Sequence, residues 1–431
     1  MMNCNADGDL SVGASECTDE EPPEDKERNG IGRHPSEKGS EDSEVVGVDE
    51  RAEVGGEIDG VIDLPDDDEG SAKYPEWSWD RVRTYVAIRR GDDYSDEQIR
   101  ALAAQDVVML EKFNGHQTYG SVEKGTLEAA RRIKAVNTKV KILFYLNSMV
   151  HYAGYDANKD FKEEWALHNP KRDNELFKWR EKFLSYDHTN LEFREWWIQR
   201  GIDMLAHDEI DGIFIDAICK THHASLQRMK GRSWVEQHGA AYLATAKQLR
   251  ERLTPGKILI GNVIRAGNGE DGNYRNLQYL DGSYVENWSD PQNVAMSIQL
   301  MAKAAKEGFL IMLNADMDHT DFGGIDSLDA RYRLLNQSEF IYFPLGCFLL
   351  IVEPHSYFSY HAGVDANRRL TVFDNNRFQA ITRKLGKPLG DYVDDGEGGF
   401  SREFEHLKVH VNVKTREGKL TAKDEFGGDE L

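Results

Sequence analysis

Ile210-Asp211-Gly212-Ile213-Phe214-Ile215-Asp216-Ala217 reads as one strand buried on both faces. Ile210, Ile213, Phe214 and Ile215 are all large and apolar, where a half-solvated strand would alternate. The run ends in a carboxylate. Asp216 falls where such a strand leaves the core, and desolvating a charge there costs several kcal/mol unless it is paired or used. Further along, Tyr284-Val285-Glu286-Asn287-Trp288 repeats the arrangement with a glutamate.

Outward from this segment the same unit recurs. Apolar runs are predicted to be strands at Val82–Arg89, Asp106–Phe113, Val140–Asn147, Lys257–Ile264, Gly282–Asn287, Phe309–Ala315 and Cys347–Glu353. With the Asp216 strand as the fourth, they make eight. Amphipathic stretches fall between them. Ser95-Asp96-Glu97-Gln98 and Ser233-Trp234-Val235-Glu236 read as capping boxes, and Asp290-Pro291 as an N-cap with proline in the first turn. Helices are expected near Val122–Val136, Leu191–Leu205, Val294–Lys306 and Ser327–Gln337. Eight strand–helix alternations with fully apolar strands predict an α/β fold, a (β/α)8 TIM barrel. A doubly wound sheet is the runner-up, weakened because no glycine-rich phosphate loop follows the first strand. Ser148 to Asn190 is too long for an ordinary connection and predicts a loop region over an active face. Leu407 to Val413 alternates apolar and polar, as a half-buried strand does, and Glu417-Gly418 then turns the chain back.

Charge is unevenly placed along the 431 residues. Residues 1–72 hold 23 Asp and Glu against 5 Lys and Arg, a net −18 of the chain's −23, which leaves about −5 for the other 359 residues. That first stretch contains no aromatic residue. It cannot bury enough apolar surface to offset the entropy of ordering, so 1–72 is predicted to be a disordered acidic tail. The expected division is the tail at 1–72, a barrel domain at 73–400, and a small β appendage with the C-terminal tail at 401–431. The near-neutral remainder argues against a nucleic-acid partner. No apolar run is long enough for a membrane span, and the amino terminus shows no basic start followed by a hydrophobic segment, so the expectation is cytoplasmic by default. Cys4, Cys17, Cys219 and Cys347 make neither a disulfide framework nor a metal-ligand spacing.

In such barrels the reactive face is the C-terminal end of the strands. Polar residues recur there: Arg89 after strand one, Glu111 and Lys112 at two, Asn147 at three, Asp216 at four, Asn262 and Arg265 at five. Glu286, Asn287 and Trp288 follow at six, Asn314 and Asp316 at seven, and Glu353 with His355 at eight. Glycoside cleavage needs one carboxyl group held protonated to donate to the leaving oxygen and another held ionised. Asp216 is the candidate for the ionised role because it ends the most apolar strand. Glu286 is the candidate acid, since Trp288 and Tyr284 could desolvate it. The plainer explanation for each is a buried carboxylate paired to Arg265 or Arg89. Asn262, Asn314 and Asp316 would hold sugar hydroxyls. Trp165, Trp179 and Trp288 are the candidate sugar platforms, whereas Trp196-Trp197 reads as helix packing. His222-His223 lacks a third ligand at fitting spacing, so neither metal nor cofactor is expected.

These residues also carry a resemblance. Asp-Gly-Ile-Phe-Ile-Asp (211–216), Ile-Gly-Asn (260–262) and Val-Glu-Asn (285–287) resemble the hypothetical glycoside-hydrolase-like TIM-barrel families, which are similar to the endo-α-1,4-polygalactosaminidase group. Asp187-His188-Thr189-Asn190 with Phe193-Arg194-Glu195-Trp196-Trp197, and Ser401-Arg402-Glu403-Phe404 with Val409-His410-Val411-Asn412, fit their helix before strand four and their closing segment. The likeness spans roughly 80–415. It implies an O-glycosyl hydrolase acting on a polysaccharide or oligosaccharide, with Asp216 and Glu286 as the catalytic pair. Two alternatives remain open: a carbohydrate-binding barrel without catalysis, and a barrel lyase or isomerase using Lys112 or His355 as base.

Overall fold

Side chains alternate across each strand, so a parallel strand with both faces apolar must be covered on both. A closed barrel with helices outside is one way to do that. The structure, a computed structural model, describes residues 73–220, 224–268, 271–286, 288–289, 292–316, 338–361 and 379–423. Eight strands lie side by side in chain order: β1 Tyr85–Ile88, β2 Val107–Leu110, β3 Lys141–Asn147, β4 Gly212–Asp216, β5 Ile258–Asn262, β6 Gly282–Val285, β7 Leu310–Asp316 and β8 Ser356–His361. Every neighbouring pair is parallel. A parallel bridge from Thr84 to Phe358, with Phe358 N–H donating to the Arg83 carbonyl at 2.9 Å, brings the eighth strand back to the first.

Two cores follow from the alternation. Inside the barrel, Tyr85, Ala87, Val107, Met109, Leu143, Tyr145, Phe214, Ile258, Ile260, Tyr284, Leu310, Met312 and Tyr357 pack together. The intervening residues face outward and meet the helices: α1 Asp96–Ala103, α2 Val122–Val136, α3 Leu191–Leu205, α4 Arg232–Arg252, α5 Val294–Lys306 and α6 Tyr342–Ile351. Ser95 caps α1 with a full capping box, its Oγ accepting from Gln98 N–H at 3.2 Å. At α4 the expected box is displaced. The helix starts at Arg232 behind Gly231, so Ser233 is already inside it.

One strand assignment is corrected. The eighth strand is Ser356–His361, and Tyr342–Ile351, which runs through the Cys347 stretch, is a helix. Its sequence is apolar on every side because every side is covered. Four antiparallel strands, β9 Val393–Asp394, β10 Gly399–Glu403, β11 Leu407–Asn412 and β12 Glu417–Ala422, form a sheet against its outer surface. A short apolar run cannot by itself be told as strand or buried helix. The expected acidic tail, the helix at Ser327–Gln337, the Asp290-Pro291 cap and His222-His223 lie outside the described residues. No helix among the described residues is long and apolar enough to cross a membrane.

Candidate active site

The period of two decides which polar residues meet. Tyr85 and Ala87, Val107 and Met109, Leu143 and Tyr145, Phe214, Ile260, Tyr284, and Met312 all point inward. Two residues on, the same face carries Arg89, Glu111, Asn147, Asp216, Asn262, Glu286 and Asn314. On β8, Tyr357 leads in the same way to His361. The inner C-terminal rim is therefore a ring of polar side chains on an apolar plug.

Asp216 is held from both sides. Its Oδ2 accepts from the Tyr145 hydroxyl at 2.5 Å and from Asn147 Nδ2 at 3.0 Å; its Oδ1 accepts from Ala217 N–H at 2.7 Å and Asn262 Nδ2 at 3.2 Å. Burial alone would raise its pKa, but Lys112, the Tyr145 hydroxyl, Lys220 and the Asn262 amide outweigh burial and hold it below the ordinary carboxylate value. Asn147 cannot turn its amide over, because its oxygen already accepts from Met149 and Val150 N–H at 2.8 and 2.7 Å. Ala217 has φ +68°, a left-handed conformation unusual for a residue with a Cβ. The Tyr242 hydroxyl bonds the Ala217 carbonyl at 3.1 Å, Ser148 N–H bonds the Asp216 carbonyl at 3.2 Å, and His188 Nε2 bonds the Ser148 carbonyl at 2.6 Å. This network over-determines the turn that aims Asp216 inward.

Glu286 faces the same space. Its Oε1 accepts from Asn262 Nδ2 at 2.9 Å and from the Arg265 guanidinium at 2.5 Å, and its side chain is one-third exposed. One amide nitrogen thus bonds both carboxylates, at 3.2 and 2.9 Å, so Asp216 Oδ1 and Glu286 Oε1 lie within roughly 6 Å of each other. Lys112 Nζ bonds Glu111 Oε2 at 3.2 Å and sits 5.2 and 5.5 Å over the Tyr145 and Tyr152 rings. Burial and the nearby Arg89 favour its neutral form. Glu111, Tyr152 and Asp216 prevail and hold its pKa up at about 12, so it is a cation at neutral pH.

The structure brings Asn147, Asp216, Asn262, Arg265 and Glu286 into one bonded cluster, with Glu111, Lys112 and Arg89 beside it. Asn314 is on the rim with its Oδ1 bonded to His361 Nε2. Asp316 ends β7, paired in register with His361. Asn287 lies outside the described residues. Glu353 and His355 are elsewhere: both precede β8 and so stand at the opposite end of the barrel, where Glu353 bonds Arg402 at 2.6 Å and His355 packs on Tyr74. The misread helix put them at the wrong end. Trp288 is buried with its N–H on the Asn314 carbonyl at 3.0 Å, and Trp165 is buried too, so neither offers a free ring face. Trp179 and Phe183 lie across from each other on a hairpin whose rings, with Tyr152, pack on Met149, Val150 and Ala217 beside Asp216. Tyr145 and His361 escaped the sequence reading. Tyr145 is two residues before Asn147 on the inner face, and Ser356-Tyr357-Phe358-Ser359-Tyr360-His361 alternates; both were available signals. Among the described residues no three His, Cys, Asp or Glu side chains gather as metal ligands.

The family described as hypothetical glycosyl hydrolase family 15 matches residues 134–408. No curated protein matches the chain. Among solved structures it is similar to a noncanonic maltogenic α-amylase, AmyB, from Thermotoga neapolitana (13% identity, TM-score 0.46, 80% of this chain and 88% of that one). It is also similar to an α-amylase from Lactobacillus plantarum (12%, 0.44, 82% and 97%) and to the GH36 α-galactosidase AgaA from Geobacillus stearothermophilus (12%, 0.44, 81% and 49%), of which it spans about half the length.

Proposed function

Given that this chain belongs to hypothetical glycosyl hydrolase family 15, we propose that it hydrolyses O-glycosidic bonds of a polysaccharide or oligosaccharide with retention of configuration, using Asp216 and Glu286. The observation that carries this reading is the single Asn262 nitrogen bonded to both carboxylates. A separation of at most roughly 6 Å between their facing oxygens is near the ~5–5.5 Å of retaining pairs and below the ~6.5–9.5 Å that leaves room for an inverting water.

In the first step an Asp216 oxygen attacks the anomeric carbon. The bond to the leaving oxygen breaks with its electron pair, and Glu286 gives that oxygen its proton. In the second step Glu286, now ionised, takes a proton from water, whose oxygen attacks the anomeric carbon and frees Asp216. Asp216 suits the first role because its surroundings keep it ionised. Glu286 Oε1 is bonded to the Arg265 guanidinium at 2.5 Å. The acid role therefore requires the substrate to loosen that ion pair when its leaving oxygen arrives at Glu286. The kinship with the polygalactosaminidase group is part of this proposal and leaves the sugar open.

The ion pair also favours the second reading, a carbohydrate-binding barrel in which Arg265 permanently quenches Glu286. A lyase or isomerase is disfavoured: Lys112 is held protonated and His355 is at the far end of the barrel. A polysaccharide panel with the anomer of the product followed by NMR separates these. Asp216→Asn and Glu286→Gln are each expected to lower turnover by a hundredfold or more, with circular dichroism unchanged. Wild-type turnover in either variant removes that residue from the mechanism, and an inverted product removes the covalent step.

A further inference from the structure

Among the described residues, the rim holds an arginine with no anionic partner. Arg89 follows β1 on the inner face, two residues beyond Ala87 of the barrel plug. The β1–β2 register pairs Ile88 with Leu110, which sets Arg89 beside Glu111 and Lys112. Glu111 is already bonded to Lys112. Arg83, Arg132, Arg265 and Arg402 pair with Asp106, Asp93, Glu286 and Glu353, and the buried Arg200 rests on the Tyr155 and Trp196 rings. Among the described residues Arg89 has neither an ion pair nor a hydrogen bond, although it is only partly exposed. It also stands close enough to Lys112 to weaken that group's hold on its proton. Two like charges near each other on the rim repel, and among the described residues only Lys112 has a carboxylate partner. A further cation, Lys220, rests on the Trp179 ring at 5.4 Å on the Asp216 side of the rim.

We propose that Arg89, backed by Lys112, receives a negatively charged substituent, a carboxylate or sulfate on the sugar, so that the substrate is an acidic glycan. A planar guanidinium matches two oxygens of either group with parallel N–H bonds, and it stays charged at any working pH. Such a ligand removes the Arg89–Lys112 repulsion as it binds. An amino-sugar polymer, cationic at neutral pH, would add to it. This inference rests on the glycoside-hydrolase reading only for the identity of the pocket. Arg89 and Lys112 both precede residues 134–408, which the family matches.

The test is binding by the full chain carrying Asp216→Asn on an array of neutral, uronate-bearing, sulfated and amino-sugar glycans. An acidic glycan is expected to bind at least tenfold more tightly than its carboxyl-reduced or desulfated counterpart, with affinity falling as salt rises. Comparison of the uronate and sulfate arms identifies the substituent. Adding Arg89→Gln is expected to abolish that preference, while Arg89→Lys, which keeps the charge, retains the salt dependence. The proposal is overturned if no acidic glycan binds, if neutral or amino-sugar glycans bind as tightly, or if the preference survives Arg89→Gln. Wild-type cleavage of neutral glycans alone would sink this inference and leave the hydrolase reading standing. Arg89-dependent binding of an acidic glycan without release of reducing ends would do the reverse.

Discussion

Tyr145 shows how much a single hydroxyl can decide. It is buried in the barrel plug, yet its O–H reaches Asp216 Oδ2 at 2.5 Å, the shortest of the bonds to that carboxylate. A hydrogen bond to a charged acceptor is worth about 1.5–3 kcal/mol. Asp216 is held below its ordinary value, so its ionised form persists at pH where a free carboxyl would be protonated. Tyr145→Phe removes a donor to the ionised form and lets that pKa rise. The acid limb of the pH profile of kcat/KM is therefore expected to move to higher pH. A purely structural role for Tyr145 would lower activity at all pH values without moving the limb. Asn262→Ala should separate the two carboxylates energetically: it leaves Arg265 on Glu286 and removes the donor they share, and kcat is expected to fall by tenfold or more while the fold is kept, as read by steady-state kinetics beside circular dichroism.

At the scale of elements, α6 and the antiparallel sheet explain each other. Gly346 lets the helix approach the sheet: a Cβ there would lie 2.7 Å from Val411 Cγ2. At Gly418 a Cβ would lie 2.1 Å from the Tyr342 carbonyl oxygen. Gly418→Ala collides with backbone, which cannot swing aside, so it is expected to cost about 1–3 kcal/mol in urea unfolding. Arg402, on β10, is the polar counterpart. It is buried, and its guanidinium donates to the Leu350 and Val352 carbonyls at 3.1 and 2.8 Å and to Glu353 at 2.6 Å. It thereby satisfies the carbonyls that the end of α6 leaves open. Arg402→Met would strand those acceptors and the Glu353 charge, with an expected loss of about 3–5 kcal/mol. If either variant unfolds at the wild-type urea midpoint, the sheet is not tied to the barrel in this way.

For the whole molecule, acid stability follows from histidines buried without charge. Burial and Arg200 lower the His151 pKa to about 4, and burial and His238 hold His188 well below its usual value. Unfolded, both titrate near 6.5. Between pH 6.5 and 4 the unfolded chain therefore binds more protons, and stability falls as pH falls through that window. Above 6.5 the two states bind equally and the effect vanishes. His151→Phe keeps an aromatic ring against Phe161 and removes the titration, so its unfolding midpoint is expected to drop less steeply across that window than the wild type's. An unchanged slope would assign the acid sensitivity to other groups.

The alternation of apolar runs with amphipathic ones was enough to determine a barrel, because parallel strands buried on both faces have few alternatives. The same logic located Asp216 and Glu286 at strand ends, since a period of two carries a residue's orientation along the chain. What local pattern could not hold was the identity of partners. Asn262 joins two carboxylates from different strands, Tyr145 meets Asp216 across a strand pair, and Arg402 reaches α6 from about 50 residues away. The eighth strand was misplaced for the same reason. Ten apolar residues mark burial, but whether burial is by strand neighbours or by a sheet packed over a helix depends on β11 and β12, which arrive later in the chain. Periodicity belongs to the chain, while pairing belongs to the folded arrangement, and the candidate site is built almost wholly from pairing.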